Sequence, residues 1–149
     1  ARRSPKQVQR KMVSLALVAY ALSSSGVSDC GNGNSLFQIT KLTLDPPSSV
    51  MAGQNVSLGL VYNSPQVITN GTVKNSVTYN FIPLSPTVSN LCDSTDCPIT
   101  VGQHDGSSSY PMPTGLSGSL KSQIVWYDDA GNQLLCIEMA LKIQNKKRG

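Results

Sequence analysis

Residues 120–144 read LKSQIVWYDDAGNQLLCIEMALKIQ, two runs rich in apolar residues on either side of a turn-forming pentad. Successive side chains of a strand point to opposite faces, so a period of two marks a strand with one buried side. In the first run Leu120, Ile124 and Trp126 share a face. Asp128, Asp129, Ala130, Gly131 and Asn132 make the turn, with Gly131 free to take a positive φ. On the return, Ile137, Met139, Leu141 and Ile143 alternate with Glu138, Ala140 and Lys142. The stretch predicts a β-hairpin that lays one face on a core.

The same period recurs upstream. SLFQITKLTL (35–44) stops at Asp45-Pro46-Pro47. QNVSLGLVYN (54–63) sets Val56, Leu58, Leu60 and Tyr62 against Ser57, Gly59 and Val61. TVKNSVTYNFIPL (72–84) sets Val73, Val77, Tyr79 and Phe81 against Lys74, Ser76, Thr78 and Asn80. No window after residue 30 has helical periodicity. Short alternating runs divided by turn residues predict an all-β fold, with six to eight strands in two antiparallel sheets.

At 149 residues the chain suits one domain. With 39% hydrophobic and 13% charged residues it fits neither a disordered chain nor a coiled coil. A pI near 9.0 invites a nucleic-acid reading, but the positive charge sits at the two ends. Residues 29–145 hold four lysines (Lys41, Lys74, Lys121 and Lys142) against all eight acidic residues, a net −4. A body of that sign offers no patch for a phosphate backbone, so no nucleic-acid partner is expected.

The basic stretch ARRSPKQVQRK, the apolar run Met12 to Leu22 and the small polar residues SSSGVS follow the order of a secretory signal. An apolar run of eleven is too short to cross a bilayer, which takes about 20. Residues 1–28 are therefore expected to be a signal, cleaved between Ser23 and Asp29, ahead of a domain at 29–145 and a basic tail at 146–149. Retained instead as a helix on a membrane or a protein partner, the segment would make the chain an interaction subunit of a larger assembly. Sequons at Asn55 and Asn70 are candidate glycosylation sites and fit a secreted or lumenal protein.

Four cysteines in an exported chain predict two disulfides. Cys92 and Cys97 are spaced too widely for a redox motif and lack a second ligand pair for zinc, so they are expected to close a small loop. Cys30 and Cys136 then pair by elimination. The single histidine, His104, lies in GQHDGSSSYP (102–111), read as an exposed Gly/Ser-rich loop. No G-x-S-x-G elbow accompanies it, and Asp128 and Asp129 belong to a turn. Neither catalytic residues nor a metal site are expected. Only two Phe and one Trp leave the interior to aliphatics and to methionines such as Met51, Met112 and Met139, which suit an irregular apolar ligand as well as an ordinary core.

An ordered set of features then resembles one family. These are Asp29-Cys30-Gly31, the L-C-x4-C-P-I stretch from Leu91 to Ile99 with Gly102 after it, PMPTG (111–115), W-Y-D-D-x-G from Trp126, and LLCI (134–137). They resemble the ML lipid-recognition family, above all its phosphatidylglycerol/phosphatidylinositol transfer protein branch, where LTLDPPSS (42–49) also finds a match. The resemblance implies an immunoglobulin-like β-sandwich with an apolar cavity between its sheets and no enzymatic activity. It implies a bound lipid in place of a cofactor, a phospholipid or, as a second choice, a sterol, and transient membrane contact. The third disulfide of sterol-carrying members is missing. By alternation, the implied pocket wall comprises Val56, Leu58, Leu60, Val77, Tyr79, Phe81, Leu120, Ile124, Trp126, Ile137, Met139 and Leu141. Tyr110, Met112 and Pro113 would stand at the mouth, with Lys74 and Lys121 as candidates for contact with an anionic head group.

Overall fold

The computed structural model describes residues 26–112, 114–115 and 117–144. The expected targeting segment up to residue 25, the basic tail and Pro113 lie outside the described residues. Among the described residues, ten strands occur in the order β1 (Val27–Asp29), β2 (Gln38–Asp45), β3 (Ser49–Met51), β4 (Asn55–Ser64), β5 (Gly71–Tyr79), β6 (Ile82–Pro83), β7 (Thr87–Asn90), β8 (Gly102–Pro111), β9 (Gly118–Asp128) and β10 (Gln133–Gln144). One helical turn, α1 (Leu91–Ser94), separates β7 from β8.

The strands form two sheets, an immunoglobulin-like sandwich as expected. In the larger, β10, β9 and β5 lie side by side, with β1 and β3 along the outer edge of β10 and β6 and β7 along the outer edge of β5. The smaller has the order β2-β4-β8. All pairings are antiparallel except that of β3 with β10. The count exceeds six to eight because the short edge strands β1, β3, β6 and β7 carry too few residues to show a period. Val27 pairs with Met139 and is buried, which puts Val27 and Ser28 in the sheet, two residues ahead of the expected start at Asp29.

The 120–144 stretch forms the hairpin β9–β10. Asp128 Oδ1 accepts hydrogen bonds from the amides of Ala130 (2.9 Å) and Asn132 (2.8 Å), and Gly131 takes φ +84°. These bonds, led by one from the Asn132 side chain to Oδ2, hold the Asp128 carboxyl below its ordinary range. A bulge between Gln133 and Leu135 lets the consecutive leucines 134 and 135 both be fully buried.

Both disulfides form as expected, Cys30–Cys136 and Cys92–Cys97. The first ties the end of β1 to β10, and Leu36 and Phe37 add backbone bonds to Gln133 and Leu134 that close this side of the sandwich. The second holds α1. Asn90 caps that turn by accepting from the Cys92 amide, and the buried Leu91 and Ile99 root it in the core. Ile99 is further fixed by a two-way backbone bridge to Ile68.

Two expectations are corrected. GQHDGSSSYP is no loop: all ten residues form β8 and pair with β4 from Asn55↔Pro111 to Ser64↔Gly102. Ser and Gly have weak strand propensity, but β4 offers an unbroken row of backbone partners, and pairing overrides propensity. Phe81 does not extend β5. Asn80 and Phe81 take φ +49° and +67° as the two turn residues between the paired Tyr79 and Ile82. Positive φ at both central positions is the hairpin geometry that matches strand twist. Phe81 is thrown outward and is 88% exposed.

Candidate functional site

The inner faces of the sheets come from alternate positions of five strands. β4 contributes Val56, Leu58, Leu60 and Tyr62, and its partner β8 contributes Tyr110, Ser108, Gly106 and His104 directly opposite them. Across the gap stand Val73, Asn75 and Val77 of β5, Leu120, Ser122, Ile124 and Trp126 of β9, and Ile137, Met139 and Leu141 of β10. β7 and β8 are edge strands of different sheets.

A cleft of about 420 Å³ runs inward from the gap between them. Its floor is apolar, formed by Leu58, Leu60, Val73, Ile124, Trp126 and Ile137. Its rim is polar: Thr87 and Ser89 of β7, Asp93, Ser94 and Thr95 at α1, and Asp105, Ser107 and Ser108 of β8. Asn75, Tyr110 and Ile124 also line a second, smaller recess of about 120 Å³. That recess is walled by Val56, Val77, Met112, Leu120, Met139 and Leu141, with Ser122 as a polar member. Ser122 Oγ donates to Asn75 Oδ1 at 3.0 Å, so the polar pair set in an apolar wall satisfies itself. An apolar floor under a polar rim is the usual chemistry of a small-molecule site, and 420 Å³ lies within the usual range of roughly 300–1,000 Å³.

The cleft is stopped at one end by aromatic rings. Tyr62 stacks on Phe37 (centroids 5.0 Å apart) and meets Trp126 edge-on at 5.8 Å. His104 stacks on the same Tyr62 at 5.5 Å. Its Nε2 lies 2.7 Å from the Thr100 carbonyl oxygen, placed to donate to it. The histidine expected in an exposed loop is thus a half-buried member of the aromatic stack. Among the described residues no group of three or more His, Cys, Asp or Glu side chains could share a metal ion.

Burial raises the Tyr62 phenol above its ordinary 10.0, partly offset by a hydrogen bond to Thr95. Because the folded pKa lies above the unfolded one, this group's contribution is complete below pH 10 and is lost as pH rises through the folded value. Tyr62→Phe is therefore expected to lower stability by about 1 kcal/mol at neutral pH, through the lost hydrogen bond. It should also flatten the decline in stability as pH rises above 10.0 in denaturant titrations. An equally steep decline in the variant would contradict this assignment.

Of the residues expected to wall a pocket, the cleft gathers Leu58, Leu60, Ile124, Trp126, Ile137 and Tyr110. The recess gathers Val56, Val77, Met112, Leu120, Met139 and Leu141. Phe81 is excluded because the turn points it away. Tyr79 lines neither space, since its hydroxyl donates to the Ser117 carbonyl (2.7 Å) and pins the β8–β9 connection. Met51 is exposed on β3. Lys74 and Lys121 occupy the outer face of the large sheet, where Lys121 pairs with Glu138 at 3.4 Å beside a shallow groove over Phe81, Ala140 and Lys142. Sequence reasoning missed Asn75, Ser122 and, Tyr110 apart, the cleft-lining residues of β8. The first two were detectable as polar residues at inward positions of otherwise apolar faces, whereas β8 has no apolar period to read.

The pattern that defines the ML domain matches residues 24–143. A Dictyostelium discoideum protein provisionally named a phosphatidylglycerol/phosphatidylinositol transfer protein is 30% identical over 120 residues, which are 78% of this chain and 84% of that one. A second such protein from the same organism is 28% identical over 133 residues, 87% of each chain. Among solved structures, a Niemann-Pick type C2 protein from the Japanese carpenter ant superposes with a TM-score of 0.61 at 12% identity, covering 78% of this chain and 98% of that one. Chicken MD-1 complexed with lipid IVa gives 0.51 at 10% identity, over 76% and 85%. Sandwich, paired disulfides and sequence pattern agree: the chain belongs to the ML domain family.

Proposed function

We propose that this protein is a non-enzymatic lipid carrier that takes up a lipid through the gap between β7 and β8. The observation that carries the reading is that the 420 Å³ cleft and the 120 Å³ recess, both walled by apolar inner-face residues, share Asn75, Tyr110 and Ile124 as lining. Apolar burial supplies the affinity, at about 0.8 kcal/mol for each methylene removed from water. An acyl chain bending past Asn75, Tyr110 and Ile124 would use both spaces, whereas a rigid fused-ring sterol would be confined to one. The names of the Dictyostelium relatives point to the same ligand class. Two disulfides and two sequons with exposed asparagines, Asn55 and Asn70, support a secreted or lumenal setting with glycans at those positions.

Protein purified from a eukaryotic secretory host is expected to release close to one acyl lipid per chain on solvent extraction, identified by mass spectrometry. Absence of any lipid, together with no uptake of a fluorescent fatty acid, would refute the carrier reading. Recovery of sterol alone would replace the acyl ligand with a sterol.

A further inference from the structure

We infer that the β5–β6 turn is a docking lip, by which the protein rests on an anionic bilayer surface while lipid is exchanged. The inference rests on the carrier reading and adds the surface that meets the bilayer. Its first support is a residue that neither conformation nor packing explains. Asn80 and Phe81 are the central pair of a turn in which both take positive φ, +49° and +67°. Asn followed by Gly is the usual choice for such a pair, because a bulky side chain is strained at positive φ. This chain places Phe at the second position and leaves it 88% exposed, so burial within the fold does not offset the strain. Strain that stability does not explain marks a functional position. The turn is also held still. The Asn80 amide donates to the Ser119 carbonyl (2.8 Å), and Asn80 Oδ1 accepts from the Ser119 amide (2.8 Å). Gly118 leaves the space that the Asn80 side chain fills, since a Cβ there would collide with it. A turn fixed in this way presents Phe81 with little further loss of freedom on binding.

The neighbours of Phe81 give the partner its chemistry. Ile82 and Leu84 are exposed as well. Ile82 pairs with Tyr79, and the Leu84 amide donates to the carbonyl of Val77 (2.8 Å). Both therefore stand on the inward side of the large sheet, next to the Val77 that walls the recess. β7 continues along the same edge of β5, and there Thr87 and Ser89 line the cleft. This border of the sandwich runs from an apolar lip to the polar mouth. On the outer side of the turn, the exposed Lys121 and Lys142 share the groove over Phe81. Lys121 also pairs with Glu138 at the surface, a contact weak enough to be exchanged for a lipid phosphate. An aromatic and two aliphatic side chains that enter the acyl boundary, beside ammonium groups that reach head-group phosphates, make an interfacial anchor. Docking there sets the acyl region of the leaflet against the recess and the adjoining mouth.

The test is co-sedimentation of the purified full chain with vesicles of phosphatidylcholine alone, or of phosphatidylcholine and phosphatidylglycerol in equal parts. The unaltered chain is expected to bind the anionic vesicles more tightly, and added salt should weaken that binding. Phe81→Gly suits the positive φ, so the thermal midpoint should move by no more than about 4 °C. Its partition onto vesicles should nevertheless fall at least about tenfold. Lys121→Gln/Lys142→Gln should lower binding to the anionic vesicles about tenfold and leave binding to phosphatidylcholine vesicles unchanged. Uptake of a fluorescent fatty acid delivered from solution should be unaltered in both variants, because none of these residues lines the cleft. Vesicle binding that survives Phe81→Gly overturns the docking inference and leaves the carrier reading standing. Binding that responds to salt but to neither variant overturns it as well, and assigns the contact to the basic stretches at the two ends of the chain. Loss of self-association in Phe81→Gly without loss of vesicle binding overturns it in favour of a second copy on this face. A lysine variant that binds as the unaltered chain does overturns the choice of an anionic surface. Phe81-dependent vesicle binding by a chain that takes up no lipid from solution supports the docking surface and overturns the carrier reading.

Discussion

Gly106→Trp is expected to reduce lipid uptake at least about tenfold while leaving the fold intact. Gly106 stands opposite Leu60 on the inner face of β8 and lines the cleft. A Cβ at this position would meet no atom within 4 Å, and the backbone φ is ordinary, so neither clash nor strain opposes a side chain. Tryptophan favours strands, and a glycine in a strand interior is itself mildly destabilising. The indole would project into the mouth and take the volume that the lipid needs. The thermal midpoint should therefore move by no more than about 4 °C, the equivalent of roughly 1 kcal/mol in a domain of this size. Lipid extraction and the fluorescent fatty-acid assay read the loss. Undiminished uptake in a folded Gly106→Trp protein would move the binding site away from the β7–β8 gap.

The second large effect concerns the longer disulfide. Cys30 and Cys136 are 106 residues apart, whereas Cys92 and Cys97 are 5 apart. On the chain-entropy account the longer loop contributes about 4.8 kcal/mol and the shorter about 2 kcal/mol. Against a total of roughly 5–15 kcal/mol, Cys30→Ala/Cys136→Ala should leave the protein close to unfolding. Cys92→Ala/Cys97→Ala should stay folded with a moderately lower denaturation midpoint. Urea titrations of the two double variants decide the order. Equal costs, or the reverse order, would mean that native-state packing around each bridge outweighs the loop it closes.

Much of this molecule was legible along the chain. The alternation of Leu120, Ile124 and Trp126 and of Ile137, Met139 and Leu141 placed those residues on the inner face, where they lie. The pairing of four cysteines followed from counting the available partners. Phe81 failed because a period of two says which face a residue takes only while the strand lasts. The turn at Asn80–Phe81 ends β5 two residues earlier than the apolar pattern implied. Tyr79 kept its face but is occupied by a contact 38 residues away.

Local alternation thus accounts for the strands, their buried sides and the class of fold, because burial of one face imposes a period that a single strand displays. The mouth of the cleft is of another kind. GQHDGSSSYP reads as a loop, and it becomes β8 because β4 supplies a complete row of hydrogen-bonding partners from a segment some forty residues earlier. Which strands stand at the sheet edges, and so where the sandwich gapes, follows from those non-local pairings. The polar character of the rim emerges only when β7, α1 and β8, each unremarkable alone, are brought to opposite sides of one gap.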